Sequence, residues 1–338
     1  MTRHRTVVGA ACAVALLALV AIAPTPARAV GATAGAAPEP ACNGAVQLCD
    51  RSLGEVAFAT THNSMASTAN GFVPPNQRRS LKDQLDHGIR ALQIDAYFGT
   101  PRGGRVYTDL SGPLGQAAEL PRSAVRAAEL LHRRLGAPPA GTAYDVYLCH
   151  VFCEIGAVRM LDEMKVVREF LDTHPREVLV VVIEDYVPPD AILTVLRDAG
   201  LESELLPVDP TAPLPTLGRM IDAATRLQVS LERGAAPPML PNAFTGLVEE
   251  TPFTFGRPRA LERPESCAVN RGTADAPVFQ FNHWVTPAEP FTAQRVNSSI
   301  LRDRLAECTD LRGRAPTLVA VDFAEQGDLL KVVERLNR

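Results

Sequence analysis

Lysine is nearly missing from this 338-residue chain. Lys82, Lys165 and Lys331 are the three present, and arginine supplies the rest of 34 basic side chains set against 38 acidic ones. The formal charge of −4 leaves no basic excess of the kind that holds nucleic acid. Scarce lysine beside abundant Ala and Pro is a compositional bias and carries no activity. No Gly-rich phosphate loop follows any apparent strand, which argues against a doubly wound nucleotide binder. No repeated C-x-x-C pair occurs, which argues against structural zinc. Beyond residue 29 no apolar run is long enough to span a bilayer, so any membrane contact is peripheral.

What is present begins with an address. Arg3, His4 and Arg5 precede an apolar run from Val7 to Ile22, and Ala27-Arg28-Ala29 supplies a small-x-small cleavage site, so residues 1–29 are predicted to be a signal peptide and the product secreted. An uncleaved anchor is the alternative, but the run is short for a span. The segment takes Arg3, Arg5 and Arg28 with it and no acid, which moves the charge from −4 to −7. The remainder suffices for one large barrel of roughly 250 residues with insertions, expected as a monomer. Its six cysteines allow fifteen connectivities. Nearest-neighbour pairing, Cys42 with Cys49, Cys149 with Cys153 and Cys267 with Cys308, is the simplest reading in an oxidising compartment.

An Ala/Gly/Pro-rich linker over 30–41 leads into a single domain over 42–338. Strands are predicted at Glu55–Thr61, Ile89–Ala96, Asp145–Leu148, Glu177–Ile183, Leu227–Glu232, Val278–Phe281 and Thr317–Val321. Helices lie between them, among them Ser80–Gly88 with a Ser cap and Gly stop, and Ala157–Thr173 ending at His174-Pro175. Residues 99–144 read as an insertion with a helical piece over Arg122–Leu135, in which His132 is a surface residue; Ala235–Gly272 reads as an elaborated loop. The six apolar residues Val178–Ile183 imply a strand covered on both faces. The βα alternation implies an α/β fold with a parallel sheet, barrel or doubly wound, with an eighth strand unplaced.

The strand ends carry the chemistry. His62 and Asn63 set an acid or base beside a hard oxygen ligand. Gln93 and Asp95 share one face by the two-residue period. His150 sits between Cys149 and Cys153, and Glu184 follows the most apolar strand, where an unpartnered carboxylate would be costly.

Thr61-His62-Asn63-Ser64-Met65, the strand Gly88-Ile89-Arg90-Ala91-Leu92-Gln93-Ile94-Asp95, Leu148-Cys149-His150 and Asn282-His283-Trp284 resemble the phosphatidylinositol-specific phospholipase C family. Cys42–Cys49 and Val319-Ala320-Val321-Asp322-Phe323 extend the resemblance over nearly the whole mature chain. It implies a TIM-like (β/α)8 barrel, imperfectly closed in some members. It also implies a phospholipid substrate whose phosphodiester is cleaved by two histidines, His62 and His150, to give diacylglycerol and a cyclic inositol phosphate. Asp95 stands where metal-independent members carry arginine, so the resemblance is to the calcium-dependent type, with Asn63, Gln93, Asp95 and Glu184 as ligands of Ca²⁺. Gln93 departs from the Glu of many such relatives and throws the base role onto His62. Asp322 orients His62 by analogy, or is a core-edge or helix-capping acid. Two other readings stand beside this one: a glycerophosphodiester-type phosphodiesterase, and a secreted binding protein on the same barrel whose catalysis has decayed. The insertion, which follows strand two onto the catalytic face, is a lipid-contacting lid or a solvated elaboration.

Overall fold

The computed structural model describes residues 40–110, 122–139, 141, 145–209 and 211–338. The expected signal peptide, nearly all of the linker and the middle of the insertion lie outside the described residues. Ten strands share one sheet: β1 (Phe58–Thr61), β2 (Ala91–Arg102), β3 (Arg105–Thr108), β4 (Asp145–Cys149), β5 (Ala157–Arg159), β6 (Leu179–Asp185), β7 (Leu227–Leu231), β8 (Val248–Glu250), β9 (Val278–His283) and β10 (Leu318–Val321). Their parallel core has the order β7-β6-β2-β1-β10-β9-β8.

Strand β6 shows why so apolar a sequence is needed. Leu179, Val181 and Ile183 pack with Met160, Met164 and Val167 of the helix Met160–Thr173 and with Ile192 and Leu196 of the helix Pro189–Asp198. Val178, Val180 and Val182 face the other way, into one cluster with Phe58, Ala91, Val248, Val278 and Leu318 of other strands of the barrel. One register meets helices and the other the barrel interior, so both must be apolar. Each such side chain contributes about 1.5–3 kcal/mol when fully buried. The helix Met160–Thr173 stops where expected, with the His174 ring nitrogen Nδ1 3.0 Å from the Phe170 carbonyl and Pro175 beyond.

The edge strands β7 and β8 share no ladder. Arg271 spans the gap instead, donating to Glu232 just past β7 and to Glu250 at the end of β8. The barrel is therefore present in its imperfectly closed form. Two expectations need correction. Asp145–Leu148 does not continue the parallel series: β4 pairs antiparallel with an elongated β2, which also carries β3, so the 99–144 insertion opens as a hairpin. The strand that completes the parallel series is β8, inside the stretch read as a loop. The helix Arg122–Leu135 and all three nearest-neighbour disulfides are present.

Candidate active site

The turn after β1 is built around Asn63, which adopts φ 46°, a left-handed conformation that Asn tolerates better than most residues. Ser64 fixes this turn, its N–H donating to Gln93 O of β2 (2.8 Å) and its hydroxyl meeting Thr61 Oγ1 (2.7 Å). His62 and Asn63 then face a cavity at the C-terminal ends of the strands, lined also by Gln93, Asp95, Glu184, Glu232, Glu250, Arg271, Gln280, Asn282 and Trp284. Parallel registry delivers them: β1 aligns Thr61 with Val321, so His62 meets Asp322, and β2 aligns Asp95 with Glu184.

His62 Nδ1–H donates to Asp322 Oδ1 at 2.8 Å, and its ring stacks on Trp284 at 3.7 Å and 6°. An ionised carboxylate can only accept, so Asp322 holds the ring proton on Nδ1 and leaves Nε2 as the basic nitrogen. Asn76 Nδ2 donates to the same Oδ1 at 3.0 Å, while Asp322 Oδ2 is buried without a partner among the described residues.

His150 stands at the rim, its side chain 34% exposed. Its Nδ1 lies 3.2 Å from Asp95 Oδ2 and 3.1 Å from Asn63 Nδ2. It can serve one at a time, donating to Asp95 when it carries a proton and accepting from Asn63 when it does not. Burial opposes its charge, but the Asp95 hydrogen bond and the charges of Asp95, Asp322 and Glu184 outweigh it and raise its pKa. His150 therefore keeps its proton to higher pH than an ordinary histidine.

Glu184 accepts from the Tyr186 hydroxyl. Enclosure by the cavity walls, although 37% of the side chain remains exposed, and then repulsion from Asp95 and Glu232 push its pKa up to about 8. Gln93 Oε1 is buried in the same wall with no partner among the described residues. Asn63, Gln93, Asp95 and Glu184 thus present hard oxygens around one cavity with an excess of negative charge, a donor set that fits a hard divalent cation. Among the described residues no three His, Cys, Asp or Glu side chains are grouped to hold an ion by themselves, so a cation here depends on the two amides.

Several residues of the cavity escape sequence reasoning. Glu232, Glu250 and Arg271 form a salt-bridged wall, with the guanidinium 3.9 Å from the centre of the Phe244 ring, and Glu250 also accepts from Asn282 (2.8 Å) and Gln280 (3.1 Å). Glu232 is signalled by its place after an apolar strand; Glu250 and Arg271 have no local signal. His283 faces away from the cavity, as the strand period requires. Its Nε2–H donates to Val296 O at 2.9 Å, Arg304 faces its Nδ1, and burial with that cation drives its pKa down to about 3. Arg233 is spread over the Tyr186 ring, 4.0 Å from Glu184.

Two histidines with carboxylate partners, at the mouth of a parallel α/β barrel beside a cluster of hard oxygens, define a site equipped for acid–base chemistry. The family follows from comparison. The PI-PLC X 1 family matches residues 48–100 and 133–337, and this chain belongs to it. Over 325 residues it is 25% identical to PI-PLC X domain-containing protein 1 of Arthroderma benhamiae, covering 88% of this chain and 89% of that one. It is 26% identical to a PI-PLC X domain-containing protein of Arabidopsis thaliana (82% and 60% covered) and 23% identical to an uncharacterized secreted protein of A. benhamiae (88% and 64% covered). The chain thus spans less than two thirds of the latter two. The phosphatidylinositol-specific phospholipase C of Listeria monocytogenes is similar with a TM-score of 0.47 at 13% identity, covering 86% of this chain and 96% of that one.

Proposed function

We propose that this protein is a secreted phosphodiesterase that cleaves phosphatidylinositol-type lipids. The carrying observation is the pair of histidines, each with ring Nδ1 against a carboxylate: Asp322 orients His62 with Nε2 as the basic nitrogen, and Asp95 favours the protonated form of His150. His62 takes the proton of the inositol hydroxyl next to the phosphate, that oxygen attacks phosphorus, and His150 protonates the departing diacylglycerol oxygen. A cyclic inositol phosphate results. Asn63, Gln93, Asp95 and Glu184 would hold Ca²⁺, which when bound supplies positive charge against the phosphate. Disulfides and the resemblance to an uncharacterized secreted protein support export, and no described helix is long and apolar enough to cross a membrane.

A lipid substrate is also supported by the barrel face. Val73, Ile155, Phe253 and Phe291 are exposed, and each follows the C-terminal end of a strand, β1, β4, β8 and β9. Peripheral contact with a lipid surface would cover them. The amide Gln93 in the ligand set favours a second reading, a binding protein that no longer turns substrate over. Diacylglycerol release from phosphatidylinositol in mixed micelles decides between them: His62→Ala and His150→Ala are each expected to lower turnover about 10²- to 10⁴-fold. No release by the unaltered protein, with and without calcium, would leave the binding reading.

A further inference from the structure

The loop that carries His150 is short, is closed by the Cys149–Cys153 disulfide, and holds Val151 at φ 67°, a conformation costly for a β-branched residue. Something outside the loop must hold it there. Glu154 follows the disulfide, and its side chain is 1% exposed. A carboxylate this buried persists only if donors surround it. Those donors come from the insertion: Thr108 N–H of β3 to Oε1 (3.0 Å), the Thr108 hydroxyl to Oε2 (2.8 Å), and His132 Nε2 of the helix Arg122–Leu135 to Oε1. Thr108 Oγ1 in turn accepts from Cys153 N–H at 2.8 Å. The Tyr107 hydroxyl donates to Leu135 O at 3.1 Å, and the Tyr107 ring meets the His132 ring edge to face, so hairpin and helix approach the loop as one piece. His132, read from sequence as a surface residue, is a half-buried part of this clasp.

Resting on the acid–base reading of His150, we propose that Glu154 is a positioning residue through which the insertion sets the place of the His150 ring over the cavity. The bonds run from insertion to Glu154, through the disulfide loop, to a ring that must keep its 3.2 Å contact with Asp95. A displacement of about 1 Å at such a group can cost roughly 10²-fold in rate. The insertion is then neither a free lid nor a passive elaboration, because its docked state fixes a reacting group.

The test uses the full secreted chain with Glu154→Ala and Glu154→Gln. Gln keeps an acceptor for Thr108 N–H and His132 and can donate to the Thr108 hydroxyl, so it is expected to stay within about threefold of the unaltered protein. Ala is expected to lower kcat on phosphatidylinositol micelles by roughly 10- to 100-fold, with KM within about twofold. Hydrogen exchange of the amides at 149–156 is expected to quicken in the Ala variant and not in the Gln variant. That exchange can be read even if the protein turns over no phosphodiester, so failure of the activity reading and failure of the clasp are told apart. Unchanged exchange at 149–156 in Glu154→Ala would overturn the proposal. So would a loss of activity equal in both variants, or one that tracks melting temperature alone.

Discussion

Replacing Asp322 by Asn asks how the carboxylate behind His62 works. In the folded protein Oδ1 accepts from both His62 Nδ1–H and Asn76 Nδ2, while Oδ2 is buried and unpaired among the described residues. The variant amide therefore has one favourable orientation, carbonyl toward the two donors and NH₂ in the place of Oδ2; the reverse sets NH₂ against the Asn76 donor. In the favourable orientation the tautomer survives and the charge is lost. A hydrogen bond to a charged group contributes about 1.5–3 kcal/mol against about 0.5–1.5 for a neutral one. The loss of about 1–2 kcal/mol corresponds to a five- to thirtyfold fall in kcat with KM little changed. Adding Asn76→Ala frees the amide to turn and present NH₂ to Nδ1, which moves the ring proton to Nε2 and removes the base. The double variant is then expected to fall by about 10²- to 10⁴-fold, well beyond the product of the single effects. Initial rates of diacylglycerol release from micelles measure all four proteins. Additive losses, or Asp322→Asn at full kcat, would refute this account of the pair.

Three further outcomes follow from the same geometry. A chelator is expected to abolish cleavage and Ca²⁺ to restore it better than Mg²⁺, which needs a tighter octahedron; Asp95→Asn should weaken the calcium response, and full activity of metal-stripped protein would contradict the ligand assignment. Glu184, pushed up from its ordinary 4.5 to about 8, leaves the folded state binding more protons than the unfolded chain between those values, so without divalent cation its contribution makes stability fall as pH rises through that window; melting temperatures from pH 5 to 8.5 should show this slope reduced in Glu184→Gln, and an identical slope in both proteins would count against it. Phe291, 95% exposed, belongs to the rim expected to meet lipid; Phe291→Ser should lower turnover on phosphatidylinositol vesicles several-fold and leave a water-soluble short-chain substrate unaffected, whereas equal loss on both would remove the interfacial role.

What could be read from sequence was local. The run Val178–Ile183 announces a strand buried on both faces, and the strand ends at His62, Asp95 and Glu184 announce polar groups where a barrel gathers them; the structure brings these into one cavity. What escaped depends on distant partners. Strand β8 is Val-Glu-Glu with both glutamates buried, a pattern that reads as loop until Arg312 and Arg314 are found on Glu249 and Arg271 on Glu250. Gly99, from which the sequence reads as an insertion, is part of β2 and of its hairpin with β3. It lies where β3 and β4 both press close: an added Cβ would come within 2.6 Å of Val106 and 2.9 Å of Tyr147. His132 looked superficial because the buried acid that it bonds, Glu154, lies on another loop.

The central claim is that His62, in the cavity wall, and His150, held against Asn63 and Asp95 of that wall, cleave a phosphodiester by moving one proton each. Phosphorus NMR of phosphatidylinositol micelles incubated with the purified protein and calcium tests it most directly. The account predicts a cyclic inositol phosphate as the first product, formed by the unaltered protein and nearly lost in both His62→Ala and His150→Ala. A monoester as first product, or cyclic phosphate formed equally fast without either histidine, would contradict it.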